Sequence, residues 1–338
     1  MSTMRTAARR ARIELRRVGR AARSRIAAER DVRRTASSGA DLAVFHQLEL
    51  SPAGGGHQFV RALARELESR GVGLEWNRLS ATTPACLYNS FNFDETRFRR
   101  FARRPARLVH RVDGPVSAYR GFDDGTDERV AKLNEYAAAT IVQSRYSLEK
   151  HRELGLELRS PVVIVNAPDP SLFYPPDSRE ELDGRPLRLV AVSWSANERK
   201  GADTLECLAR DLDPARFQVS IVGNIRVPGR ARRLEPLASG ALGAFLRSQD
   251  AYVAASREDP CSNALLEALA CGLPALYLRS GGHPELVGDA GVGYDVSEEL
   301  GDAVERLAAG LERYRAAIRV PSLGEVANRY LEVLRMTP

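Results

Sequence analysis

The run "SREDPCSNALLEALACGLPAL", Ser256 to Leu276, carries two carboxylates eight positions apart, Asp259 and Glu267. Between them the residues are small, polar or apolar, and none is acidic. Ser262 and Asn263 precede an apolar run and are suited to capping a helix. The first amides of a helix have no partner within it, so they attract an anion such as a diphosphate. If the whole interval were helical, Asp259 and Glu267 would be about 12 Å apart along the axis. That is the scale of a sugar nucleotide, with a carboxylate for hydroxyls at each end and the diphosphate on the amides between. The bland reading of Asp259-Pro260 is a helix start, Asp as cap and Pro at the first position. Glu267 is harder to explain in that way. It is not the acid of a capping box, because Leu265 and Leu266 occupy those positions. A carboxylate within "ALLEALA" needs a partner, either a ligand's hydroxyls or a nearby Arg.

The segments that must position these groups alternate between strand-like and helix-like patterns. "DLAVFHQL" reads as a buried strand, and "SPAGGGHQFVRALARELESRGV" as a glycine-rich turn into a helix with Phe59, Val60, Leu63 and Leu67 on its apolar face. A run such as Gly54-Gly55-Gly56 lets the backbone approach a ligand, or it is simply a tight turn. It lacks the G-x-G-x-x-G dinucleotide spacing. "VGLEWN", "ACLYNS", "RLVHRVD", "ATIVQS" and "PVVIVNA" continue as strands, with helices in "DERVAKLNEYAA" and "RYSLEKHREL". "HRVDGP" ends one strand and groups His110, Arg111 and Asp113. These either face a ligand, or His110 faces the core and Asp113-Gly114-Pro115 is a turn. "NAPDPSLFYPPDSREELDGRP" has linker composition. Beyond it the alternation restarts, with strands at "LRLVAVSW", "FQVSIVGN", "AYVAAS", "PALYLR" and "VGYDV". Two helical segments close the chain, Ser297 to Arg319 and Leu323 to Arg335. This pattern predicts an α/β protein of two Rossmann-like, doubly wound domains facing across a cleft, with ligands at the carboxyl ends of the strands. The expected organisation is a basic arm over 1–40, a first domain over 41–175, a second over 176–320, and a terminal helix over 321–338 returning to the first.

Composition agrees with a globular chain: 338 residues, 43% hydrophobic and 28% charged. No apolar run is long enough for a transmembrane helix, and the N-terminus lacks the apolar core of a secretory signal. Charge is uneven. Residues 1–34 hold twelve Arg against Glu14, Glu29 and Asp31, a net of +9, while the whole chain is +6, which leaves −3 for the body. The arm reads as a basic amphipathic helix, suited to an anionic membrane surface, or as a solvated extension. The acidic body argues against nucleic acid as a partner. Cys86, Cys207, Cys261 and Cys271 fit no zinc spacing and suggest a reduced, cytoplasmic setting. "GFDDGTDE" reads as a solvated loop, so no metal and no cofactor are expected.

The signature at Asp259 to Glu267 followed by "ALACGLP" resembles that of the retaining family-4 glycosyltransferases of GT-B fold, with Asp259 in place of their first Glu. "SGGHPELVGDAGVGYDV", "AGGGHQFVRALARELESRGV", "HRVDGP", "TIVQSRYS", "VIVNAPDPSLFYP" and "NERKGADTL" resemble the family's other motifs in order, from residue 41 to the end. The resemblance implies a nucleotide-sugar donor, a glycan or lipid-linked acceptor, and hexosyl transfer with retention, in cell-surface glycan or glycolipid synthesis at the inner membrane face. It implies that Glu267 binds the nucleotide ribose and that Asp259 lies near the transferred hexose. Cys261, Ser262 and Asn263 would hold the diphosphate by their backbone, and Lys200 would neutralise it. Ser195, Asn197 and Arg199 would line the same donor site, Gly55 and Gly56 would face it from the first domain, and His110 and Asp113 would lie near the reacting carbon. One departure stands out: the family usually has Arg five residues before the Lys, where this chain has Ser195. Arg199, next to Lys200, is a candidate substitute. The runner-up function is a non-catalytic nucleotide-sugar-binding or scaffold protein of the same fold. A phosphorylase would need a lysine-bound cofactor site, and none is recognisable.

Overall fold

The computed structural model describes residues 39–48, 55–195 and 197–337. Nearly all of the expected basic arm, and Gly54, lie outside the described residues.

The first domain contains β1 (Leu42–Phe45), α1 (Gly55–Ser69), β2 (Leu74–Trp76), β3 (Ala85–Asn89), α2 (Glu95–Phe101), β4 (Arg107–Val112), α3 (Val116–Arg120), α4 (Thr126–Asn134), β5 (Ala139–Val142), α5 (Arg145–Glu153) and β6 (Pro161–Val163). Its strands pair in parallel in the order β2-β1-β3-β4-β5-β6. The strands are short and apolar because helices cover both faces of the sheet. On one face Leu42, Val44, Leu87, Val109 and Ile141 pack with Phe59 and Leu63 of α1.

The second domain contains β7 (Leu187–Ser193), a 3₁₀ turn (Glu198–Lys200), α6 (Ala202–Asp211), β8 (Phe217–Gly223), β9 (Arg232–Leu234), α7 (Ser239–Arg247), β10 (Ala251–Ala254), α8 (Asn263–Ala270), β11 (Ala275–Leu278), α9 (His283–Val287) and β12 (Gly291–Tyr294), then α10 (Leu300–Ala309) and α11 (Leu311–Ala316). The strand order is β12-β11-β10-β7-β8-β9, again all parallel. The expected helix over Ser297 to Arg319 divides into a 3₁₀ turn, α10 and α11, the last two meeting at Gly310. The segment of linker composition is pinned to this domain. Phe173 is buried in its core, and Arg185 clamps the buried Asp250 with contacts of 2.7 and 2.9 Å.

The final helix, α12 (Leu323–Leu334), starts with a capping box between Ser322 and Glu325. It crosses back and buries Val326, Tyr330, Leu331 and Leu334 in the first domain's core. Among the described residues no helix is long and apolar enough to cross a membrane.

Candidate functional site

In an open parallel sheet the strand order reverses at one point, and the strand ends there splay apart to leave a crevice. The reversal falls between β1 and β3 in the first domain and between β7 and β10 in the second. The residues at these four carboxyl ends, His46, Asn89, Ser193 and Ala254, line a single cleft of about 500 Å³ between the domains.

Its second-domain wall is built around α8. Ser262 caps this helix, its hydroxyl accepting from Leu265 N at 3.4 Å. Cys261, Ser262 and Asn263 line the cleft at the helix's amide end. The Cys261 thiol is pushed by burial to about 12, so it stays protonated. Asp259 precedes the helix and is 8% exposed. Lys200 Nζ reaches it at 2.8 Å. Burial alone would raise the Asp259 carboxyl, but Lys200 and His283 outweigh that and hold it below its ordinary value. Two glycines permit this arrangement. At Gly201 (φ 79°) a Cβ would lie 2.3 Å from Ala255 O, and at Gly281 (φ 63°) 2.3 Å from Asp259 O. His283 sits behind Asp259. Its Nδ1 donates to Leu278 O at 3.1 Å, so Nε2 accepts from the Ser256 hydroxyl at 3.1 Å.

Glu267, one turn into α8, is 7% exposed and lines the same cleft. Burial pushes its carboxyl up to about 8, and among the described residues no cation offsets that shift. Of the two partners the sequence allowed for this group, a nearby Arg is not found among the described residues.

The first-domain wall meets α8 closely. A Cβ on Gly55 would lie 2.5 Å from Asn263 Cβ, and one on Gly114 would lie 2.6 Å from Pro260 Cβ. Gly55, Gly56 and Asp113 all line the cleft. Asp113 is held by Arg111 at 3.1 Å, and its backbone N–H donates to Ser90 Oγ at 2.8 Å. Arg111 is fully buried. It also donates to Asn166 Oδ1 at 3.1 Å, and Asn166 donates to Asn263 Oδ1 at 3.0 Å. A polar chain thus runs from Asp113 to the first residue of α8.

His110 does not reach the cleft. It is fully buried, stacked on Tyr88 with ring centroids 4.2 Å apart, and bonded to Asn134 at 3.0 Å. Burial lowers its imidazole to about 3. The core alternative for "HRVDGP" therefore describes His110, while Asp113 faces the cleft. Strand alternation separates the two: β4 ends at Val112, with His110 on the face towards Tyr88. Nor do Asn197 and Arg199 line the cleft. Asn197 caps the 3₁₀ turn, and Arg199 packs over Gly121. Ser195 and Lys200 do line it.

Two residues outside the expected site line this cleft, His46 and Arg120. Asn89 donates to His46 Nδ1 at 2.8 Å, so His46 Nε2 donates to His57 Nδ1 at 3.0 Å. Burial, then His57, lowers His46 to about 3. The available signal was position, since His46 is the first residue past β1 at the reversal point. Among the described residues no group of three or more His, Cys, Asp or Glu is arranged to hold a metal ion. "GFDDGTDE" is used for turns and caps, Asp127 accepting from Val116 N and Ser117 N at 2.6 and 3.0 Å.

Residues 188–310, which carry the wall built on α8, match the family described as glycosyl transferases group 1. That match lies within the second domain. The described residues have the GT-B fold. The chain resembles sucrose-phosphate synthase from Thermosynechococcus elongatus at 17% identity, covering 87% of this chain and 94% of that one with a TM-score of 0.64. Anabaena HepE, solved in complex with UDP and glucose, is similar at 17% identity, 88% and 99% coverage and a TM-score of 0.65. A glycosyltransferase from Rickettsia africae is similar at 11% identity, 88% and 98% coverage and a TM-score of 0.59. No curated protein sequence matches the chain. The matched segment includes Lys200, Asp259 and Glu267, and the first domain brings Asp113 and Gly55 to them.

Proposed function

We propose that this chain moves a hexosyl group from a nucleoside-diphosphate sugar to a hydroxyl acceptor, with retention at the anomeric carbon. One observation carries the reading. The Lys200–Asp259 pair and the buried Glu267, whose carboxyl has no partner among the described residues, flank the amide end of α8 in one interdomain cleft. An empty apolar site has no use for a buried carboxyl. Ribose hydroxyls would give Glu267 the hydrogen bonds it lacks. The binding of UDP and glucose by Anabaena HepE, on the same fold, supports a nucleotide-sugar donor.

In the reaction the bond from the anomeric carbon to the diphosphate oxygen breaks, and a bond to the acceptor oxygen forms on the same face. Negative charge grows on the leaving diphosphate, where the α8 amides and the Lys200 ammonium stabilise it. A diphosphate oxygen takes the acceptor's proton, so the protein needs no nucleophile. Asp259 holds Lys200 in place and offers oxygens to the hexose, while Asp113, fixed by Arg111, faces the acceptor side. The donor is the one small molecule the scheme requires. A glycan or lipid-linked acceptor, met at an anionic membrane surface through residues 1–34, completes the proposal.

The test is a thermal-shift screen with UDP, GDP, ADP and their sugars, followed by donor hydrolysis. Glu267→Ala is expected to lose most nucleotide affinity, and Lys200→Ala to lower turnover more than binding. Unchanged affinity and turnover in both variants would sink the assignment. Donor binding with neither hydrolysis nor transfer would favour the non-catalytic reading.

A further inference from the structure

A diphosphate brings about two negative charges into the cleft, and a buried anion must be matched by positive groups. Among the described residues, five side chains lining the cleft are acids or permanent bases: Asp113, Arg120, Lys200, Asp259 and Glu267. Most of them are already balanced. Lys200 is paired with Asp259 at 2.8 Å, and Asp113 with the buried Arg111 at 3.1 Å. Glu267 is uncharged near neutral pH. The amide end of α8 supplies only about half a positive charge. Arg120 is what remains. Its one ion pair among the described residues is with Asp124 at 3.5 Å, and both side chains are more than a third exposed. Such a pair is worth on the order of 1 kcal/mol or less and is readily exchanged.

Arg120 is also well held from behind. It is the last residue of α3, whose N-terminus is capped by Asp127. Asn197 Nδ2 donates to its carbonyl at 3.4 Å, and Gly121 packs against Arg199. The end of α3 is therefore docked on the turn that carries Lys200, and Arg120 lines the same cleft as Ser195 and Lys200. We propose that Arg120, contributed by the first domain, supplies the second positive charge of the diphosphate site, across the cleft from Lys200. The assignment rests on the nucleotide-sugar reading above. It makes charge neutralisation depend on domain closure, because the two cations belong to different lobes.

The experiment compares the unaltered protein with Arg120→Gln, which keeps the stem and removes the charge. Calorimetry reads the affinities for UDP, ADP and GDP, each against its monophosphate. For the diphosphate that binds, Arg120→Gln is expected to lose roughly tenfold or more, and for the monophosphate about threefold or less. A melting temperature close to that of the unaltered protein establishes that the variant is folded. Equal losses for monophosphate and diphosphate, or no loss for either, overturn the role of Arg120 and leave the nucleotide reading standing. Binding of none of the three diphosphates by the unaltered protein overturns both.

Discussion

Glu267 lies on a helix whose other buried side chains are Leu and Ala, and burial alone moves its carboxyl from 4.5 to about 8. Between those values the folded chain holds a proton that the unfolded chain has lost. Stability therefore falls as pH rises through this window. Glu267→Gln removes the titration. Denaturant melts at about pH 5 and about pH 8 should show the unaltered protein losing a few kcal/mol relative to the variant, since each tenfold difference in proton affinity between the folded and unfolded chain is worth about 1.4 kcal/mol. Parallel pH profiles for the two would contradict the burial account. His110 makes the opposite case. Its ring is a core aromatic stacked on Tyr88, so His110→Ala should cost about 3 kcal/mol of stability. The fraction still folded should bind nucleotide within about threefold of the unaltered protein, as calorimetry can check. A stable variant without turnover would return His110 to the chemistry.

Two helix starts set the width of the cleft. The first turn of α1 faces that of α8, and only the missing side chain at Gly55 lets Asn263 approach. Gly56, one residue on, has nothing within 4 Å of the place a Cβ would take. The pair is an internal control. Gly55→Ala should push the two elements apart and weaken nucleotide binding roughly tenfold, while Gly56→Ala should leave stability unchanged or raise it by up to about 1 kcal/mol. Calorimetry and thermal melts read both, and equal behaviour would mean that the contact does not gauge the cleft. Elements that the sequence did not announce are the short, charged ones. In α2, "ETRFRRF", only Phe98 and Phe101 are buried, and β9, "RRL", is an edge strand with no alternating pattern. Neither offers the apolar periodicity from which longer elements were read.

At the scale of the whole molecule, the chain crosses between lobes twice, once through residues 164–186 and once before α12. Further polar ties close the seam. Tyr146 Oη donates to Glu258 at 2.6 Å, and Glu285 accepts from Arg145 N at 3.1 Å. The second crossing makes the first domain depend on the last residues of the chain. Ending the chain at residue 321 would uncover the face that Val326, Tyr330, Leu331 and Leu334 bury, a loss on the order of 5 kcal/mol or more. Limited proteolysis should then cut the first domain while sparing the second. Equal resistance in the full and shortened chains would show that α12 is dispensable.

The alternation of strands and helices, the glycine turns and the spacing of Asp259 from Glu267 were all legible, because each is a local pattern of apolar period, cap and charge. The α/β class and the group 1 signature followed from them. Which side of a strand faces the cleft was not local. His110 and Asp113 are three residues apart in the sequence, yet one packs in the core and the other opens on the ligand site, and that is decided by where β4 ends and what covers each face. Asn197 and Arg199 were drawn to the site by their nearness to Lys200, and the turn directs them elsewhere. Arg120 shows the converse. It is eighty residues from Lys200 in the chain, and only the docking of α3 onto the 195–200 turn brings it to the same cleft.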